Sequence, residues 1–415
     1  MPPTSRKLRV RMHNVGFGDA FLLFIPTSKG EKTMLVDCGV HPNGVVNAMS
    51  KVVPQIISSV TKNGKPRIDI VVATHRHADH ISGFAVKKWQ DVEVGEVWLP
   101  WTEERGNPAA DKIRKAQHRL ASALAARFAD DPKIGFLALN SLSNKDAEDT
   151  LLGGFQGDPE MRYLPDVDRA KRTFRTPLLP GVKIHALGPT HDPELIALLD
   201  PPKGKHFLRG TRAAADDADT DADTDADDDF VDEAPLPLFP RQQLPPAQYR
   251  RAFPKLAGSV TDSAILRERA ATDWLGAAAS LEDAINGTSL VLVLEIGNLC
   301  VLLAGDAEWG TWSEVLEDEQ WRDLLSRTSL YKVSHHGSFN GTPKEFVDDL
   351  LPPNALSLVS LRHMDIWPSI PRRPLFNALK AKHRTLIQTN HLPAASTSIK
   401  RNGTLWVEVA LPIKT

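Results

Sequence analysis

Ile68-Asp69-Ile70-Val71-Val72-Ala73-Thr74-His75-Arg76-His77-Ala78-Asp79-His80 is the stretch from which the rest of the chain can be read. Its first six residues are mostly apolar and β-branched, the pattern of a buried strand. The next seven hold three histidines and an aspartate. Imidazole is the commonest biological metal ligand, and carboxylate is a natural companion for zinc or manganese. His75 and His77 stand at i and i+2, which lets both side chains leave a strand end on the same side. Asp79 and His80 can then reach from the following turn or helix start toward a second ion. Four ligand-type residues at this density predict a dinuclear metal site.

Short β-type runs surround this stretch. Upstream are Leu8–Met12, Ala20–Ile25 and Thr33–Asp37, and downstream is Glu96–Leu99. Asn107 followed by Pro108 marks a helix start, with an apolar stripe of Ile113, Leu120, Leu124 and Phe128 running to about Ala129. Residues 140–180 are rich in turn formers and yield no clear element. Strands are expected again at Val182–Leu187, Ser289–Ile296, Leu299–Ala304, Leu330–Val333, Ala355–Ser360, Thr385–Gln388 and Leu405–Val409. Helices are expected at Pro193–Leu199, Ile265–Ala284, Glu308–Leu325, Lys344–Leu351 and Leu375–Lys382. Strands in both halves, with helices between or after them, predict two sheets packed face to face with helices outside, an αββα sandwich of mixed α/β class. The 415 residues are read as one domain, 1–415, with an insertion at 190–286.

The overall charge of −2 conceals an asymmetry. Residues 211–233 carry ten Asp and one Glu against a single Arg212, a net −10, so the remainder carries +8. A mildly basic body suits an anionic substrate. The acidic run lacks the apolar residues that would offset its ordering entropy, and 211–233 is read as a disordered linker. No stretch approaches the roughly 18 apolar residues of a membrane span, and the N-terminus lacks a secretory apolar core, so a cytoplasmic location with no membrane partner is expected. Cys38 and Cys300 lie in strand-like runs and are read as buried thiols.

Two further clusters carry chemistry. Asp306 follows an apolar strand and Gly305, so its carboxylate can project from a sheet edge and bridge two metals. His335 and His336 also follow a strand, where neighbouring residues point in different directions. One of them is expected to be a ligand, and the other to sit over the reacting oxygen as proton donor or electrostatic stabiliser. The sequence leaves the choice open, with His335 taken first as ligand. The expected metal ligands are therefore His75, His77, Asp79, His80, Asp306 and His335, and the expected catalytic residues are Asp79 and His336. Asp37 is expected to orient a ligand, and Asp19 either to do likewise or to form a turn with Gly16 and Gly18.

His75, His77, Asp79, His80 and Gly83 spell His-x-His-x-Asp-His-x-x-Gly, which resembles the signature of the metallo-β-lactamase fold superfamily. His13–Ala20, Leu35–Gly39, Leu303–Glu308 and Lys332–Ser338 resemble, in order and spacing, motifs of its ComEC-like branch, which includes the metallo-hydrolase domain of DNA-uptake competence proteins. The resemblance implies two divalent ions, with Zn2+ expected first and Mn2+ as the alternative. Relatives often carry a first-metal histidine where this chain has Asn286, with His185 and His191 as possible replacements. They also often carry a histidine-proline where this chain has Arg362-His363, and Asn286 and His363 are both taken as candidate substrate or supporting residues. The implied activity is hydrolysis of phosphodiesters, with DNA or RNA as the expected partner. Alternatives are a hydrolase of small phosphodiesters or other esters, and a degenerate metal-binding or interaction protein. The 211–233 linker enters near the site. It is read either as a restraint, released by a regulatory partner or a protease, or as a solubilising strip.

Overall fold

The computed structural model describes residues 6–128, 142, 144–196, 198, 200–202, 204–207, 281, 283–364, 367 and 370–414. The expected helix at Ile265–Ala284 and the acidic linker 211–233 lie, wholly or almost wholly, outside the described residues.

Two sheets account for the strands. The first runs in the order β15 (Ile399–Asn402), β16 (Trp406–Pro412), β1 (Lys7–His13), β2 (Ala20–Thr27), β3 (Gly30–Cys38), β5 (Lys65–Val72), β6 (Glu93–Pro100) and β7 (Glu160–Leu164), with the short β4 (Thr61–Lys62) beside β5. The second runs β14 (Thr385–Gln388), β13 (Leu356–Val359), β12 (Leu330–Lys332), β11 (Leu299–Leu303), β10 (Val291–Ile296), β9 (Val182–Gly188) and β8 (Thr173–Phe174). The period-two alternation of side chains builds the layers. On β2, Phe21, Leu23 and Ile25 face a central core together with Leu292 and Leu294 of β10 and Val301 and Leu303 of β11. The alternate residues Leu22 and Phe24 pack instead with Val52, Val53 and Ile56 of the helix α1 (Met49–Val60). On the far side, Val293 and Leu302 pack with Trp312, Val315 and Trp321. Sheet on sheet with helical layers outside is the αββα sandwich that the sequence predicts.

The helix starting at Pro108 runs to Arg127, and the Asn107 side chain accepts from the backbone N–H groups of Ala109 and Ala110. The expected helix Glu308–Leu325 is two helices, Trp309–Glu317 and Glu319–Leu325, because Asp318 leaves the helical backbone and caps the second through the N–H groups of Gln320 and Trp321. Helix α1 and the strands Glu160–Leu164 and Ile399–Asn402 appear where the sequence pattern assigned nothing. Pro54 lies inside α1 and breaks the expected helical signal. Cys38 and Cys300 are buried free thiols, and no described helix is long and apolar enough to cross a membrane.

Both sheets contain parallel runs, β3-β5-β6-β7 in one and β11-β12-β13-β14 in the other. Loops leaving the carboxyl ends of such strands form the usual binding crevice of open α/β sheets. Asp37, the His75–His80 segment, Asp306 and the His335-His336 pair all leave strand ends of this kind.

One buried ion pair ties the first sheet together. Glu408 on β16, 3% exposed, accepts from Arg11 Nη2 at 2.8 Å and Arg9 Nη1 at 3.2 Å across the β1–β16 pairing. Arg11 also lies 4.0 Å over the Trp406 ring and donates to Ser59 of α1. Glu408→Ala leaves the Arg11 guanidinium buried without its carboxylate and is expected to cost about 3 kcal/mol. Chemical denaturation of the two proteins measures this, and a loss below about 1 kcal/mol would mean the pair behaves as a solvated one.

Candidate metal centre

The His75–His80 loop is anchored before it presents any ligand. Asp37, at a left-handed backbone position at the end of β3 (φ 55°), accepts from the Thr74 backbone N–H at 2.7 Å, the Thr74 hydroxyl at 2.8 Å and His80 Nδ1 at 2.8 Å. A carboxylate only accepts, so His80 carries its proton on Nδ1 and turns Nε2 inward. Asp37 thus lies against His80 Nδ1 and the Thr74 turn together. Gly305 (φ 51°) lets the Asp306 loop approach, since a Cβ there would sit 2.9 Å from Thr74 Cβ.

Two groups of donors result. His75, His77 and Asp79 form one, and Asp19, His80, Asp306 and His336 the other, each with ligand atoms within 4.8 Å of one another and every residue buried. Asp306 divides its two oxygens. Oδ1 accepts from Lys332 Nζ at 2.9 Å and from the His335 backbone N–H at 3.2 Å. Oδ2 faces His80 Nε2 at 3.1 Å and His336 Nε2 at 3.4 Å. Asp79 Oδ2 lies 3.2 Å from His336 Nε2, while its Oδ1 is buried with no hydrogen-bond partner among the described residues. In the first group His75 Nε2 and His77 Nδ1 lie 3.1 Å apart, and Asn286 Oδ1 is 2.9 Å from His77 Nδ1. His75 Nδ1 is turned away, 3.2 Å from both the Thr74 and Ser289 hydroxyls.

The paired histidines reverse the expected order. His336, not His335, joins the donor groups. Both residues have left-handed backbones (φ 49° and 46°), and Gly337 continues the curl at φ 83°. The turn sends His336 inward, where Nδ1 donates to the Ser360 carbonyl at 3.0 Å and Nε2 is left for the centre. His335 swings toward Asn286 and Asn340, with Nε2 3.2 Å from Asn286 Nδ2 and Nδ1 3.2 Å from Asn340 Oδ1. Phe17 packs 4.3 Å from the His336 ring and stacks on Trp367 at 5.0 Å, walling that side of the centre.

His185 and His191, considered above as replacement ligands, lie elsewhere. His185 pairs with Glu295 at 2.6 Å, and His191 stacks on Trp101 and contacts the Pro165 carbonyl. His363 is exposed and belongs to neither donor group. Sequence reasoning missed Lys332. Its ammonium is buried and lies 2.5 Å from Asp19 Oδ2 as well as beside Asp306. A lysine in the apolar run Leu330–Val333 was the available signal, because an unpaired charge is not buried there. His41 was missed as well; it is buried near Phe17 and Trp367, and burial lowers its pKa to about 4.

The electrostatics fit cations. Burial would raise the carboxyl pKa of Asp306, yet the charges of His80 and Lys332 hold it well below the usual range. Burial would likewise lower Lys332, but Asp19 and Asp306 raise it. Burial drives His75 well below its ordinary value and His77 to about 3, which keeps both imidazoles neutral and able to donate a lone pair. Of four buried carboxylates here (Asp19, Asp37, Asp79 and Asp306), only Asp19 and Asp306 pair with the Lys332 ammonium. Such an excess of buried negative charge calls for positive partners. With the neutral imidazoles of His75 and His77 and an unpartnered Asp79 oxygen, the residues fit divalent ions; the carboxylates around His80 and His336 raise those two above their ordinary values, so an ion there takes the place of their protons.

Residues 13–201 match the family described as "Metallo-beta-lactamase superfamily". The mixed α/β architecture of two sheets and flanking helices is consistent with the metallo-β-lactamase fold. The matched span carries the His75–His80 segment, while Asp306 and His336, which lie beyond it, join the donor groups from the second sheet. No curated protein matches the sequence. Among solved structures the chain is similar to a mutant of CmlA beta-hydroxylase, with 13% identity and a TM-score of 0.35. That likeness covers 93% of this chain and 53% of the other, so the chain spans about half that protein's length. Members of the superfamily are generally metal-dependent hydrolases, which makes a metal-dependent hydrolase the reading suggested for this fold.

Asp37 offers a direct test of the centre. Asp37→Asn removes the carboxylate that fixes the His80 tautomer and is expected to weaken metal affinity by about 10–100-fold. Competition with a chromophoric chelator reads the change, and unchanged affinity would show that His80 needs no orienting carboxylate.

Proposed function

We propose that the protein is a metal-dependent phosphodiesterase acting on DNA or RNA. The observation that carries the hydrolase part is the convergence of two buried donor groups next to Asp79 and Asp306. His75, His77 and Asp79 would hold one ion, and His80, Asp306 and His336, with Asp79 in reach, the other. Divalent ions in such a setting supply Lewis acidity and lower the pKa of water toward neutrality. The residues supply the rest. Asp37 and the Ser360 carbonyl fix the tautomers of His80 and His336, and Lys332 holds Asp306 in one orientation. Phe17 excludes water from the His336 side. His336 belongs with the ligands in this reading, not with the proton donors.

The phosphodiester part draws support from charge. The chain outside 211–233 carries +8, and Arg76, Arg105 and Arg114 line a recess beside His75 together with Glu103 and Glu148. Zn2+ is the first ion to try and Mn2+ the second, because imidazole and carboxylate suit both. The acidic linker 211–233 is included in the proposal as a restraint that a regulatory partner or a protease would release.

A second reading is favoured by that same recess. Its volume of about 170 Å³ lies below the roughly 300–1,000 Å³ of drug-sized ligand sites, which suits a small phosphodiester better than a polymer. One experiment separates the two. The metal-loaded protein is offered single- and double-stranded DNA and RNA alongside a small chromogenic phosphodiester. Polymer cleavage that chelator abolishes and Asp306→Ala lacks is the expected result. Hydrolysis of the small diester alone would replace the nuclease reading, and no metal-dependent turnover of either would overturn both.

A further inference from the structure

We propose that Asn286 is a protein ligand of the ion held by His75 and His77, donating through its side-chain oxygen. The inference rests on the reading that the centre binds divalent ions and does not depend on the substrate.

Three donor atoms meet at this point: His75 Nε2, His77 Nδ1 and Asn286 Oδ1, with successive separations of 3.1 and 2.9 Å. What decides the matter is the orientation of the amide. Asn286 Nδ2 lies 3.3 Å from Glu308 Oε1 and 3.2 Å from His335 Nε2. Glu308 is buried, and burial together with Asp283 holds its carboxyl well above the usual pKa range; with any proton on Oε2, Oε1 still accepts from the amino end of the amide. His335 Nδ1 lies 3.2 Å from Asn340 Oδ1 and 3.5 Å from Glu308 Oε1, so its proton sits on Nδ1 and Nε2 accepts. A half-turn of the amide would set its carbonyl against a carboxyl oxygen and an imidazole lone pair, losing both bonds. The oxygen therefore stays on the His75–His77 side.

The backbone holds the residue just as firmly. The Ser289 N–H donates to the Asn286 carbonyl at 2.9 Å, and the Leu290 N–H donates to the Thr74 carbonyl at 2.8 Å, joining this turn to the histidine loop. His335 acquires a role from the same geometry. It is a positioning residue for Asn286 and not a ligand.

A carbonyl oxygen is a harder and weaker donor than imidazole, and it suits manganese relatively better than it suits zinc. This site should therefore discriminate less between Zn2+ and Mn2+ than the same site with a histidine. It should also be the weaker of the two and the first to empty.

The test measures bound metal, so its outcome is independent of what the protein cleaves. Zn2+ and Mn2+ titrations followed by calorimetry, with metal content by elemental analysis, are compared for the full chain and its variants. Asn286→Leu is expected to bind one ion with wild-type affinity and to lose the other by at least about tenfold. Asn286→Asp keeps an oxygen donor and should retain two ions. Asn286→His should favour Zn2+ over Mn2+ more strongly than wild type does. Glu308→Leu, which frees the amide, should weaken the same ion as Asn286→Leu. Two ions bound by folded Asn286→Leu with unchanged affinities would overturn the proposal. So would loss of the ion in Asn286→Asp while circular dichroism shows an intact fold.

Discussion

The Asp306 carboxylate is the point at which the two halves of this molecule are held in register. One of its oxygens is engaged by the Lys332 ammonium and the His335 backbone, both from the second sheet. The other faces His80 and His336, one from each sheet. Taking a carboxylate this far from water is costly, and the cost is offset only while cationic partners stay within a few ångströms. That requirement fixes where the Gly305 turn, the Thr74 loop and the left-handed His335-His336 curl must sit. Displacing any one of them strands a buried charge.

Lys332 gives this arrangement a particular character. A lysine side chain is a compact point charge on a flexible stem, and here Asp306 and Asp19 keep it protonated while it binds them together. It occupies Oδ1 of Asp306 and leaves Oδ2 to face the imidazoles. Part of the negative charge is thereby balanced within the protein. The apolar cores between and outside the sheets are built from strand and helix side chains that are not themselves donors, with Phe17 joining one of them to the His336 side of the centre. Folding of the sandwich is accordingly driven by those cores, in contrast to small metal domains whose folding energy is the binding energy of the ion.

Much of this was legible in the sequence, for reasons that differ by region. The alternation in Ala20–Ile25 and Leu299–Ala304 reports two-sided burial directly, so the sandwich follows from it. The density of histidines at 75–80 announces a site without any tertiary information. Asp306 is legible because a carboxylate directly after a strand and a glycine has few other uses. The roles of His335 and His336 were not legible. They turn on φ values near +46° and +49°, and non-glycine residues adopt these only under tertiary constraint. Lys332 was read as part of a motif, since the carboxylates that justify burying it lie 313 and 26 positions away at Asp19 and Asp306. Helix α1 was hidden by Pro54, and residues 140–180 by their turn formers.

Asn286 illustrates a different limit. From sequence alone it reads as the loss of a histidine, and so as a defect in one half of the centre. The structure surrounds it with Glu308, His335 and Asn340, a chain of buried or half-buried polar groups whose hydrogen bonds agree with one another in only one sense. Polar networks of this kind are costly unless every member is satisfied. The cost of keeping one here is explained if the network has a product, and its product is an amide oxygen aimed at the same point as two neutral imidazoles. The two halves of the centre then differ by design of their second layer. Carboxylate and backbone partners sharpen the basicity of His80 and His336, while a histidine that was expected to bind metal instead holds an uncharged oxygen in place.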